Sequence, residues 1–143
     1  MLVDEFDFPD ELKYLKGNLW IKEKKNSFVI GLTSLGASLA KEIVHIDLPD
    51  DNAVFPAGEM IASYETIKSV TSITLPFDTK IKKINEKLLD NPALINIDCY
   101  GDGWIMETAK PKETKDIMNN KEAAAYYKKI ITKEKQRYKG IYD

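Results

Sequence analysis

The chain reads as mainly β, a β-sandwich or flattened barrel carrying short helical additions and a C-terminal helix. Three observations point there. Short apolar, β-branched segments separated by turn residues recur between residues 19 and 108. Residues 42–48 (EIVHIDL) alternate polar and apolar with the period of a strand that buries one face. From Pro111 the composition shifts to good helix formers.

In chain order, residues 19–22 and 27–32 flank the Lys24-Lys25-Asn26 break and suit a β-hairpin. Residues 35–41, with small side chains and no β-branching, suit a short helix behind a Thr33/Ser34 cap. The strand at 42–48 ends at Pro49-Asp50-Asp51-Asn52, and Ala57-Gly58-Glu59 supplies another turn. Residues 60–76 (MIASYETIKSVTSITLP) are rich in Ile, Val, Thr and Tyr around a polar centre, which predicts two strands with Lys68 at or near their turn. A short strand is expected at 80–85 and a helical turn at 86–89, broken by Asn91-Pro92. A further strand is expected at 105–108, after the turn Gly101-Asp102-Gly103. In the tail, Ile117, Ala124, Tyr127 and Ile131 recur at helical spacing and Gly140 is a fitting stop. No repeat or linker divides the sequence. The expectation is one domain over 1–143, with a core at about 12–111 and a C-terminal helix at about 114–138.

Composition narrows the function classes. With 43% hydrophobic and 31% charged residues the chain has the make-up of a globular protein, and no apolar run approaches a membrane span. The acidic start, broken by Pro9, lacks the basic head and apolar middle of a secretory signal, so a cytoplasmic location is expected. One cysteine, Cys99, excludes an internal disulfide, and with one histidine, His45, it leaves too few soft ligands for a zinc or iron-sulfur site. A net charge of −2 does not favour nucleic acid.

No catalytic constellation stands out, and the feature of interest is Lys68. It lies between two β-rich segments of similar length, flanked by Glu65 and Ser69, an arrangement that presents an amine on a stiff hairpin tip. The bland alternative is a solvated surface charge.

The segment Tyr64-Glu65-Thr66-Ile67-Lys68-Ser69 resembles the lipoylation motif of glycine cleavage H proteins, usually written Glu-Ser-Val-Lys-Ala. Other stretches fall in register with that family. They are Leu12-Lys13-Tyr14 with Trp20, Val29-Ile30-Gly31-Leu32-Thr33, Ile43-Val44-His45-Ile46-Asp47-Leu48-Pro49 with Gly58-Glu59, and Leu94-Ile95-Asn96 leading to Tyr100-Gly101-Asp102-Gly103-Trp104. The resemblance implies the barrel-sandwich hybrid of lipoyl and biotinyl domains, with lipoate attached covalently to Lys68. It also implies a carrier that is not itself an enzyme and that meets a lipoyl ligase or lipoyltransferase. Biotin fits less well, because biotin carriers place methionines beside their lysine and Ile67 and Ser69 stand here.

The resemblance also bears on the cargo. In the family a serine and a glutamate flanking a histidine before the tryptophan, a histidine in the first helix and an aspartate past the lysine help to shelter a charged aminomethyl group. The matching positions here are Gly17, Leu19, Asn18, Ser38 and Ser72. Taking an ammonium into a cleft without an acceptor costs on the order of 1 to 3 kcal/mol or more. The expectation drawn from this is an H-like lipoate-binding protein carrying sulfur intermediates between subunits of a heterodisulfide reductase-like complex, by thiol exchange on the arm. The alternatives are a genuine glycine cleavage carrier of the aminomethyl group, with glycine cleavage subunits as partners, and an unmodified binding module.

Glu65 reads as a recognition feature of the lysine hairpin rather than an acid or base, since catalysis needs a second positioned group. Cys99 stands where the family generally has proline; packing is its plain reading and redox exchange with the arm its functional one. His45 is expected on the surface of its strand. Tyr126 and Tyr127 suit packing against the sandwich, and Tyr138 and Tyr142 suit a partner contact or a free end.

Overall fold

Alternating burial builds the larger sheet. In the computed structural model, which describes residues 1–137, Leu19, Ile21, Phe28, Ile30 and Leu32 point into one apolar cluster while Trp20 and Val29 point into another. Both faces of this sheet are therefore covered along part of its length. The middle strand consequently reads as an unbroken buried run, Ser27–Leu32.

The elements in chain order are β1 (Leu2–Val3), β2 (Phe6–Asp7), β3 (Lys13–Leu15), β4 (Leu19–Glu23), β5 (Ser27–Leu32), α1 (Ser34–Ala40), β6 (Ile43–Asp47), β7 (Val54–Phe55), β8 (Met60–Thr66), β9 (Val70–Thr74), β10 (Thr79–Ile84), α2 (Lys87–Asp90), α3 (Leu94–Ile97), β11 (Met106–Ala109) and α4 (Asn120–Arg137). Six strands form one sheet in the order β3-β4-β5-β11-β10-β7, three form a second in the order β6-β8-β9, and β1-β2 make a small ribbon. Pairing is antiparallel throughout. The two main sheets share the first apolar cluster, to which the three-stranded sheet contributes Ile46, Ile61, Tyr64 and Ile73. Each such side chain taken from water contributes roughly 1.5 to 3 kcal/mol.

Local chemistry sets the boundaries. Thr33 caps α1, its Oγ1 accepting from the Gly36 amide at 3.1 Å. The short helices α2 and α3 insert Leu88 and Ile95, both fully buried, into the first cluster. Asn85 Nδ2 donates to the carbonyls of Asp102 and Trp104, each at 2.7 Å, holding the turn before β11. Gly103 is required there because a Cβ would meet the Leu94 carbonyl oxygen at 2.6 Å.

The expected strands at 19–22, 27–32, 42–48, 60–76, 80–85 and 105–108 are present, with ends shifted by a residue or two. The C-terminal helix differs. It begins at Asn120 rather than near 114, because Asn119 and Glu122 close a reciprocal cap: the Glu122 amide donates to Asn119 Oδ1 at 2.9 Å and the Asn119 amide to Glu122 Oε1 at 3.1 Å. Ile117 is therefore outside the helix. Its neighbour Met118 instead bridges Tyr14 of β3 through two backbone bonds of 2.8 Å. On α4 the buried positions are Ala123, Tyr127 and Ile131. Tyr127 is fully buried against Phe8, Tyr14 and Leu12 in the second cluster, with Tyr126 half-buried beside it. Gly140, Tyr138 and Tyr142 lie outside the described residues. Among those described, no helix is long and apolar enough to cross a membrane.

Candidate functional site

The polar centre of residues 60–76 becomes a hairpin. β8 and β9 pair from Met60↔Thr74 to Glu65↔Val70, leaving Thr66 to Ser69 as the connection with Lys68 at its tip. Thr66 holds that connection. Its amide donates to the Ser69 carbonyl at 2.9 Å, while its Oγ1 accepts from the Ser69 amide at 3.2 Å and the Lys68 amide at 3.4 Å. A threonine hydroxyl that takes two turn amides gives the loop a fixed shape without a glycine.

The side chains at the tip face solvent. Lys68 and Ser69 are exposed, and Ile67 and Val70 are 79% and 68% exposed, so nothing packs over the lysine. Among the described residues no ion pair or hydrogen bond engages the Lys68 amine. An amine that is to be acylated must be reachable and free of a carboxylate partner, and this one is both. Lys68 therefore fits a covalently attached acyl arm.

Glu65 and His45 are register partners across β8 and β6, and His45 Nε2 lies 3.0 Å from Asp47 Oδ1. All three are exposed on the outer face of the three-stranded sheet, next to the hairpin. Cys99 lies elsewhere. It is half-buried against the first cluster, its carbonyl accepts from Trp20 Nε1 at 3.0 Å, and burial pushes its thiol up to about 11. A thiol held protonated in this way is a poor nucleophile. Among the described residues no group of three or more His, Cys, Asp and Glu side chains could hold a metal ion.

The positions from which a non-glycine cargo was inferred take on a different meaning in the fold. Leu19 is 2% exposed inside the first cluster, opposite Leu32 of β5, so its apolar side chain answers to the core. Gly17 and Asn18 adopt φ values of 85° and 64° in the β3-β4 turn, a left-handed backbone that glycine and asparagine tolerate. Ser38 and Ser72 are exposed hydroxyls on α1 and β9. Three of the departures, Gly17, Asn18 and Leu19, thus follow from turn and core demands.

Sequence reasoning missed Thr66. The visible signal was a threonine two residues before the lysine and a serine just after it, a pattern able to form a side-chain-closed turn.

A family model for the glycine cleavage H-protein matches residues 12–130. The chain is 32% identical over 116 residues to the probable glycine cleavage system H protein of Haloarcula marismortui, covering 80% of this chain and 91% of the relative. It is 31% identical to glycine cleavage system H protein 4 of Aquifex aeolicus, covering 94% and 80%. The crystal structure of a glycine cleavage system H protein from Mycobacterium marinum superposes with a TM-score of 0.77 at 25% identity, over 84% of this chain and 98% of that one. The fold is the barrel-sandwich hybrid of that neighbour. The chain belongs to the glycine cleavage H-protein family, carriers that hold lipoate covalently on a lysine.

Proposed function

We propose that this chain is the lipoyl shuttle of a glycine cleavage system, with its arm attached to Lys68. The exposed, unpartnered amine at the clasped tip of the β8-β9 hairpin carries that reading. When bound, lipoate supplies a pair of sulfurs that accept a small group and give it up again. The chain's own part is to place and present. Lys68 provides the nitrogen for the amide link, and the Thr66-Ser69 clasp fixes the base from which the arm moves. Glu65, with His45 and Asp47 beside it, offers a charged edge by which a lipoyl ligase recognises the hairpin.

On the cargo, the relatives reverse the order expected from sequence. Those named above are glycine cleavage H proteins, and the buried position of Leu19 removes part of the ground for a sulfur cargo. The heterodisulfide reductase-like partners expected with that cargo find no support. Glycine cleavage subunits are the partners proposed, and the cargo is the aminomethyl group.

The test offers the lipoylated protein to a glycine decarboxylase with glycine labelled at its methylene carbon. The label should appear on the wild-type protein by intact mass and stay off Lys68→Arg. A lipoylated wild type that takes up no label, alongside a known H protein that does, would defeat the glycine cargo and return the sulfur one.

A further inference from the structure

A cleft of about 320 Å³ opens on the face of the six-stranded sheet that points away from the three-stranded sheet carrying Lys68. The second apolar cluster, with α4 and the N-terminal residues, covers only part of that face. The cleft is what remains open. Trp20 and Val29 form its floor, Tyr100 and Trp104 one wall, and Lys22, Lys24 and Lys83 its rim.

The charges there are unbalanced. Glu107 is the one carboxylate in the lining, and it is already engaged, accepting from Ser27 Oγ at 2.6 Å and lying 3.8 Å from Lys24 Nζ. Lys22 and Lys83 have no carboxylate partner among the described residues, and Lys83 sits 5.7 Å above the Trp104 ring. In a chain of net charge −2, this aromatic-floored cleft is locally cationic.

Register gives the spacing. Lys22 pairs with Val29, Val29 with Glu107 and Glu107 with Lys83, so the two unpaired lysines end one row across four strands. Three strand spacings put their backbones about 14 Å apart. That is too far for a single small anion to bridge, but an extended peptide reaches it in about four residues. We propose that this cleft docks an acidic, extended segment of a partner protein, one carboxylate on Lys22, another four residues on at Lys83, and an apolar side chain between them over Val29 and Trp104. Docking there leaves the Lys68 hairpin free on the other sheet. The proposal rests on the shuttle reading only in naming a partner protein as the occupant.

Both tryptophans of the chain line the cleft, so tryptophan fluorescence reports on its occupancy. The probe is the peptide acetyl-Glu-Gly-Phe-Gly-Glu-amide, titrated into wild type, Lys22→Glu, Lys83→Glu and Lys68→Arg. A saturable change is expected in wild type and Lys68→Arg, weakened about tenfold in each charge-reversed variant. The two rim lysines are exposed, and unchanged circular dichroism confirms that their variants fold. The proposal is overturned by no saturable response, by wild-type affinity in the Lys22→Glu and Lys83→Glu variants, or by an equal response to a peptide with lysines in place of its glutamates. Because Lys68→Arg is titrated as well, the cleft and the arm can fail separately.

Discussion

Thr66 and Ser69 clasp the turn that carries Lys68: the Thr66 amide donates to the Ser69 carbonyl at 2.9 Å, and the Ser69 amide donates back to the Thr66 hydroxyl at 3.2 Å. In a two-residue hairpin connection the second of these bonds would ordinarily go to a backbone carbonyl. Here a side chain takes it, and the same hydroxyl receives the Lys68 amide. The lysine thus stands on a loop whose shape one oxygen atom holds.

Removing that oxygen should loosen the tip. Thr66→Ala is expected to lower stability by about 1 kcal/mol and Thr66→Ser by less, since serine keeps the acceptor. Urea denaturation gives the stability, and the rate at which a ligase modifies each variant gives the presentation of Lys68. Equal rates for Thr66→Ala and wild type would mean that the clasp does not serve modification.

Gly31 and Trp20 make a second test of the geometry. A Cβ on Gly31 would lie 2.6 Å from two carbon atoms of the Trp20 ring, which is buried and tied by its N–H to the Cys99 carbonyl. The indole cannot yield cheaply, so Gly31→Ala should cost about 1 to 3 kcal/mol and change tryptophan emission. A variant as stable as wild type with unaltered emission would show that the ring is not where the fold puts it.

Alkali should destabilise the fold. Burial, the leading cause in each case, raises the thiol of Cys99 from 9.0 to about 11 and the phenol of Tyr100 from 10.0 to about 12, and it raises Tyr14 and Tyr127 further. Below about pH 9 folded and unfolded chains are equally protonated at these groups. Above it the unfolded chain releases protons first, so stability is lost between pH 9 and about 11 for Cys99 and between 10 and about 12 for Tyr100. Denaturation midpoints should fall through this range, and alkylation of Cys99 should be slower than that of a free thiol and rise with pH. A flat alkaline profile would contradict the burial of these side chains.

How far the sequence revealed this structure depended on whether the deciding interaction was local. The β8-β9 hairpin and the Thr33 cap were legible because β-branched runs and a hydroxyl before a helix act over a few residues. The start of α4 was not, since two signals competed. Helix-forming composition runs from residue 114, yet the pairing of Met118 with Tyr14, far away in sequence, holds that stretch extended until Asn119 and Glu122 cap the helix. The strands Lys13–Leu15 and Val54–Phe55 are too short to show a period and exist through their partners.

Within the site, Lys68 was visible from its flanking segments and from a family motif, but Thr66 was not, because its role is conformational. Leu19 shows the opposite error. Its motif alignment points to cargo, whereas its place opposite Leu32 in the core makes it a packing residue. The basic cleft was hidden because Lys22 and Lys83 are sixty-one positions apart and meet only through the register of four strands.

Attachment at Lys68 is the central claim, and intact mass after modification by a lipoyl ligase supplied with lipoate tests it most directly. Wild type should gain the mass of one lipoyl amide, located on the peptide containing Lys68, and Lys68→Arg should gain none. An unmodified wild type beside a known H protein that the same ligase modifies, or an equal gain in Lys68→Arg, would contradict the account.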